Sequence, residues 1–261
     1  MTFDMHRKRY GTHPDIPDHR DHYFHPTAGT RVPENVDLRP LFPPVYDQKK
    51  LNSCSANAIA AAIWFETRRT DRRAPSPSRL FIYFNERACE RRIEGNVPVS
   101  LRDGYKSVAR AGACPENMWP YRVHQFRERP VSTCYSAGRL QRVPWYAKLH
   151  RNLDAMKGCL AEGHPFTLGI SVHESFEQSR MKKTGRGALP RRGERLLGGH
   201  AVVVVGYHDE YQRFILRNSW GRKWGLQGYF TLPYEYLLHE SLAWDFWTLR
   251  EGSPKNGSLH R

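Results

Sequence analysis

A chain of 261 residues can bury a full core, as one large domain or as two closely packed lobes, and it carries no run of about 18 apolar residues, which excludes a membrane-spanning helix. The 41 Lys and Arg against 26 Asp and Glu leave a net charge of +15, which fits either a solvated Arg-rich surface or an anionic ligand such as a nucleotide held at a basic patch. No Cys/His finger spacing, RNP-like aromatic pair or basic heptad points to a nucleic-acid module, and no His lies at ligand spacing from Cys or carboxylates, so no metal is expected.

Residues 1–30 are rich in His, Pro, Asp and Arg and show neither helical nor strand periodicity. They read as an extended arm. The apolar core of a secretory signal is not visible in them, so the expectation is a cytoplasmic protein or one exported without a cleavable signal. Cys54 to Thr67, an alanine run with Ile59, Ile63, Trp64 and Phe65, predicts a buried helix, with Asn52 or Ser53 as its cap. Ser78–Arg87 and Leu101–Ala111 predict two more helices, the second closed by Gly112. Pro115–Tyr121 and Arg129-Pro130 read as loops. Beyond about residue 145 the pattern changes to strands. Phe166–Val172, Ala201–Tyr207, Arg213–Arg217 and Gly228–Leu232 alternate or run apolar with β-branched residues, and Arg180–Arg195 reads as a basic, Gly/Pro-containing loop. The expected organisation is an arm (1–30), a domain over 31–250 with a helical half (about 50–145) and a β half (about 146–250), and a tail (251–261).

The chemistry is suggested by four residues in order. Cys54 opens a helix, where a thiol near an imidazolium can lose its proton far below its ordinary pKa. His200 can take that proton and later deliver it to a leaving amine. Asn218 can hold the imidazole in one orientation. Gln48, six residues ahead of Cys54, can join the Cys54 backbone N–H in stabilising an oxyanion, each donor contributing roughly 3 kcal/mol. Such a site needs no cofactor. Each residue alone would pass as structural; the four in this order with these flanks do not.

Together these segments resemble the papain family of cysteine peptidases over most of residues 31–235. Arg31-Val32-Pro33-Glu34-Asn35-Val36-Asp37-Leu38-Arg39 is similar to the family's mature N-terminus. Gln48 to Cys54 has its glutamine-to-nucleophile spacing. Gly199-His200-Ala201-Val202 with Val205-Gly206-Tyr207 resembles its histidine segment, and Asn218-Ser219-Trp220-Gly221 with Trp224-Gly225 and Gly228-Tyr229 its asparagine segment. The resemblance implies an α+β, two-lobed fold, a helical left lobe facing a β-barrel-like right lobe across a cleft, and endopeptidase action on extended peptides. Trp220 would shield the Asn218–His200 hydrogen bond. Gly198 and Gly199 suggest a roomy pocket for the second residue before the scissile bond, with Leu101 as its apolar wall.

There are departures from the family pattern. Leu51-Asn52-Ser53-Cys54-Ser55 stands where Cys-Gly-Ser-Cys-Trp is common, so the disulfide normally made three residues before the nucleophile is missing. The segment around Cys89 resembles another half-cystine site, and Cys134 lies near where its partner should be, so the resemblance offers a Cys89–Cys134 bridge against the alternative of free thiols. With five cysteines, at least one is unpaired in either case. The cleft-lining glycine pair is replaced by Pro98-Val99-Ser100-Leu101. The arm is too short for the helical inhibitory segment of many members. Its Asp15-Ile16-Pro17-Asp18-His19-Arg20-Asp21 is similar to the arms of bacterial members and is expected to pack on the right lobe or cross the cleft. Exopeptidase, deamidase or transpeptidase action, or a non-catalytic anion-binding module, are the alternatives.

Overall fold

The computed structural model describes residues 10–141, 143 and 145–250. The first nine arm residues and the expected tail therefore lie outside the described residues. In chain order the elements are β1 (Asn35–Asp37), α1 (Cys54–Thr70), α2 (Arg79–Cys89), α3 (Leu101–Ala111), α4 (Ser132–Leu140), β2 (Trp145–Lys148) and α5 (Leu153–Ala161). They continue as β3 (Phe166–His173), α6 (Ser179–Thr184), β4 (Leu196–His208), β5 (Arg213–Arg217), β6 (Tyr229–Pro233), α7 (Tyr234–Leu238) and β7 (Ala243–Arg250). Helices α1–α4 build one lobe. The other is an antiparallel sheet in the order β2-β7-β3-β4-β5-β6, with β1 paired to β4 beside that path.

α1 joins the two. Its small residues let it bury almost every side: Ala56, Ile59, Ala60 and Phe65 are essentially inaccessible, and it packs on β4 as well as on α2 and α3. A helix apolar all round belongs inside a protein rather than on its surface. It runs three residues past Thr67, where Arg68 and Arg69 complement the negative end of its dipole. The expected side-chain cap is not made: the Ser53 hydroxyl instead meets the Tyr121 hydroxyl at 2.6 Å. α2 and α3 do have side-chain caps, which the sequence reading did not identify, Ser78 Oγ accepting from Phe81 N–H and Ser100 Oγ from Asp103 N–H. α3 ends where expected. Gly112 has φ of 69°, and a Cβ there would lie 1.7 Å from the Gly138 carbonyl oxygen, so α3 can pack against α4 only with glycine.

All four expected strands form. β4 starts earlier than Ala201, because Leu196–Gly199 already pair with the end of β3. β2 and β7 were not foreseen, and the basic loop contains the short helix α6. The Cys89–Cys134 bridge is not formed: all five cysteines are free. Cys89 is exposed at the end of α2, whereas Cys134 is buried with Cys114 and Phe81 in a small core of its own.

From residue 10 onward the arm packs against both lobes. Phe24 is buried, and residues 22–24 run beside β2, with Phe24 N–H donating to the Lys148 carbonyl at 2.7 Å and Lys148 N–H to that of His22 at 2.8 Å. Farther toward its start, the buried Asp15 carboxylate accepts from the Arg102 backbone N–H in the first turn of α3 (3.0 Å) and from the Trp247 indole on β7 (2.9 Å). Lys148 lies 3.5, 3.4 and 3.2 Å from carboxylate oxygens of Asp15, Asp21 and Asp245, and the Arg102 guanidinium pairs with Asp21.

Candidate active site

Gln48, Cys54, His200 and Asn218 converge where α1 meets β4. Cys54 is the first residue of α1. His200 lies within β4, opposite Ile170 of β3, so its backbone is held in a ladder at the start of the buried stretch of that strand. Asn218 follows β5 directly. Its Oδ1 is 2.8 Å from His200 Nε2 and also accepts from Ser219 N–H at 2.7 Å. Trp220 stacks on the His200 ring with centroids 4.6 Å apart and planes 27° apart, and Trp224 meets Trp220 edge-on at 5.0 Å. This aromatic cover keeps water from the imidazole–amide hydrogen bond, where a lower local dielectric strengthens it.

The glutamine loop is tied to the asparagine loop. Gln48 N–H donates to the Ser219 carbonyl at 2.8 Å, the Ser219 hydroxyl donates to Gln48 Oε1 at 2.6 Å, and Gly221 N–H donates to the Tyr46 carbonyl at 2.9 Å. Gln48 Nε2 donates to the Leu51 carbonyl at 2.9 Å. The Tyr121 hydroxyl closes the loop from the helical side by donating to the Gln48 carbonyl at 2.9 Å. The Gln48 side chain is thus held in orientation through both its oxygen and its amide nitrogen.

The arm crosses this site. Val99 N–H donates to the Gly11 carbonyl at 3.3 Å, Thr12 Oγ1 to the Val99 carbonyl at 2.9 Å, and Thr12 N–H to the Gly199 carbonyl at 3.4 Å. Tyr10 lies edge-on to His200 and Trp220, at 6.5 and 6.1 Å, and its hydroxyl bonds the Glu177 carboxylate. With the arm in place Cys54 and His200 have no exposed surface. Burial pushes the Cys54 thiol up to about 11, against the opposing pull of the backbone amides of Ala201, Gly11 and Ser55. In this closed form the thiol holds its proton at neutral pH.

Of the residues expected to line the cleft, Gly198 and Gly199 do meet the arm: a Cβ at Gly198 would lie 2.9 Å from Tyr10 Cβ, and one at Gly199 2.3 Å from the Thr12 carbonyl oxygen. Leu101 is fully buried at the start of α3, and Val99, two residues earlier, presents its backbone to the arm. In the basic loop ahead of His200, Arg195 pairs with Glu174 and Lys182 with Glu177. Arg180, Lys183, Arg186, Arg191 and Arg192 face solvent. Among the described residues no group of His, Cys, Asp and Glu is arranged to hold a metal, and no helix is long and apolar enough to cross a membrane. Sequence reasoning missed Ser219, which fixes the Gln48 amide, and Glu86, a carboxyl buried behind Cys54 and bonded to Ser55. A serine following an asparagine, and a glutamate in a helix between Asn85 and Arg87, carry no signal for either role.

A helical lobe and an antiparallel sheet meeting along a cleft, with a buried thiol and imidazole at their junction, define a two-lobed thiol hydrolase. Comparison with known proteins makes this specific. The model of the papain family of cysteine proteases matches residues 32–237, and the chain belongs to that family. A peptidase C1-like protein of Acanthamoeba polyphaga mimivirus is 40% identical over 214 residues, covering 78% of this chain and 69% of the viral protein. Xylellain, a cysteine protease from Xylella fastidiosa, shares 39% identity and superposes with a TM-score of 0.88 over 95% of this chain and 97% of that one. Procathepsin L2 from Tenebrio molitor larval midgut, 18% identical with a TM-score of 0.76 over 96% and 81% of the two chains, shares the fold. The protein is thus a cysteine-type peptidase, and its substrates are peptides or proteins.

Proposed function

We propose that the chain is an endopeptidase in which Cys54 is the nucleophile, His200 the base and acid, Asn218 the residue that orients His200, and Gln48 an oxyanion donor. His200 Nδ1 takes the thiol proton, and the Cys54 sulfur attacks the peptide carbonyl carbon. The oxyanion is met by the Cys54 backbone N–H and the Gln48 amide. His200 passes its proton to the leaving amine as the C–N bond breaks, leaving a thioester. A water, deprotonated by His200, then attacks the thioester, and the released thiolate recovers the proton. The main support is the 2.8 Å contact between His200 Nε2 and Asn218 Oδ1. With Nε2 donating to a carbonyl-type oxygen, Nδ1 is the ring nitrogen left for proton transfer.

The second half of the proposal is that the arm holds the enzyme closed. Its support is the Gly11 amide directed at the Cys54 thiol together with complete burial of Cys54 and His200. The experiment is hydrolysis of a fluorogenic peptide panel blocked at both ends, with and without an epoxide-type thiol inhibitor, beside Cys54→Ala and Asp15→Ala. Internal cleavage abolished by the epoxide and by Cys54→Ala, and increased in Asp15→Ala, is the expected result. Cleavage that survives Cys54→Ala removes the nucleophile assignment, and an unaltered rate in Asp15→Ala removes the gating role.

A further inference from the structure

Behind the nucleophile, on the side away from the cleft, lies a carboxyl group outside the four-residue relay. Glu86, in the last turns of α2, is fully buried. Its Oε1 accepts from the Ser55 hydroxyl at 2.7 Å, and Ser55 is the residue that follows Cys54 in the first turn of α1. Its Oε2 has no hydrogen-bond partner. Oε2 points into a slot between α1 and α3 that exists because residue 104 is glycine. A Cβ there would lie 3.1 Å from Glu86 Oε2 and 2.4 Å from Ile59 Cδ1. The neighbouring cation does not pair with it: the Arg87 guanidinium is spent on the carbonyls of Tyr83, Ile93, Gly95 and Phe126.

An ionised carboxylate with one hydroxyl for a partner is costly in such a slot, and a buried group of this kind keeps its proton instead. Burial pushes the Glu86 carboxyl up to about 8. The charged and titratable groups around it are Cys54 from α1, Tyr83, Arg87 and Cys89 from α2, Glu90 just beyond it, and Asp103 from α3. Glu90 and Asp103 push it in the same direction as burial, whereas Ser55 and Arg87 oppose them. The coupling to the nucleophile runs both ways in principle, since a negative charge at Glu86 disfavours a second one at Cys54.

We propose that Glu86 is a positioning residue that acts through Ser55: as a neutral carboxyl it fixes the first turn of α1 and leaves no negative charge behind the Cys54 thiolate. Ionisation of Glu86 then opposes ionisation of Cys54, so the alkaline side of the enzyme's pH range is set from behind the nucleophile and not by His200 alone. The proposal rests on Cys54 being the nucleophile. It is peculiar to a chain with serine after that cysteine, because a hydroxyl is what reaches the carboxyl.

The test compares the full-length wild type with Glu86→Gln and Ser55→Ala. The glutamine keeps the shape and the acceptor for Ser55 but cannot ionise. Two readouts are taken from pH 5 to 10: kcat and KM on a blocked peptide, and the rate of iodoacetamide alkylation mapped to Cys54 by mass spectrometry. Glu86→Gln is expected to match the wild type at pH 6–7 and to alkylate Cys54 about tenfold faster at pH 9, the effect of relieving one nearby like charge. Its kcat/KM should hold at pH values where the wild type declines. Ser55→Ala should lower kcat with KM unchanged. Superimposable pH profiles for wild type and Glu86→Gln, with equal thermal stability, overturn the proposal. Alkylation does not depend on turnover, so failure of the peptidase assay would leave this measurement standing on its own.

Discussion

The two walls of the cleft hold their reactive groups in opposite ways. On the sheet side, His200 sits in a β-ladder, is bonded to Asn218 and is covered by Trp220, which is itself braced by Trp224. Every degree of freedom of that imidazole is fixed by something rigid. On the helical side, Cys54 stands at the end of a helix whose first turn carries no side-chain cap and is backed by a carboxyl with one oxygen unpartnered. The imidazole is locked, and the thiol is poised by its electrostatic surroundings. A base needs one fixed direction for proton transfer, whereas a thiol must change charge during the reaction and so responds to every nearby dipole and charge.

That contrast can be broken from either wall. Gln48→Ala removes the side-chain oxyanion donor shared between them, and kcat should fall by about a hundredfold to a thousandfold with KM little changed. A fall in kcat/KM from KM alone would show that the amide contacts ground-state substrate instead. Asn218→Ala frees the imidazole to rotate, and steady-state kinetics should show kcat reduced by about a hundredfold, with Cys54 alkylation slowed in parallel. Equal kcat would mean that the ladder and Trp220 suffice to orient His200.

The smallest expected effect concerns the arm. Burial, with Asp15 beside it, holds the Asp245 carboxyl up at about 6, above its ordinary 3.8. A carboxyl whose pKa is higher with the arm docked binds a proton on docking between those two values. Docking is therefore favoured most below about pH 4 and has lost that contribution once pH has risen through about 6. Protease protection of the arm should decline between about pH 4 and 6 in the wild type and stay flat in Asp245→Asn. Asp245 has a φ of 53°, which asparagine also tolerates, so the substitution leaves the backbone unstrained. A decline of equal size in both proteins would assign the pH response to another group.

The legible parts of this molecule were those encoded by short-range pattern. The alanine-rich run after Cys54 and the glycine that closes α3 mark helices from a few neighbours, and the apolar stretches of β3 to β6 announce strands. β7 escaped because Asp245 interrupts its apolar run with a residue in left-handed conformation. β2 is four residues long. The cluster of Asp15, Asp21, Arg102, Lys148 and Asp245 joins positions far apart in sequence, each an ordinary surface charge when read alone. Of the two readings of Cys89 and Cys134, the free thiols are the one found, because segment similarity says which residues resemble half-cystines, not which side chains face each other; α4 turns Cys134 toward Cys114. That Gln48, Cys54, His200 and Asn218 converge could be expected because the family pattern fixes their flanks, whereas the carboxyl behind them depends on a slot that Gly104 leaves open.

The arm is continuous with β1, which is paired along β4 through Asn35–His208, Val36–Tyr207 and Asp37–Gly206. The segment over the thiol is therefore a tethered ligand, present at an effective concentration on the order of millimolar whatever the dilution of the protein. Weak individual contacts suffice to keep it in place, since it rebinds faster than a free peptide can arrive. A single cut anywhere between the cleft and β1 would end that advantage at once, turning the same contacts into those of a diffusible peptide that dilution carries away.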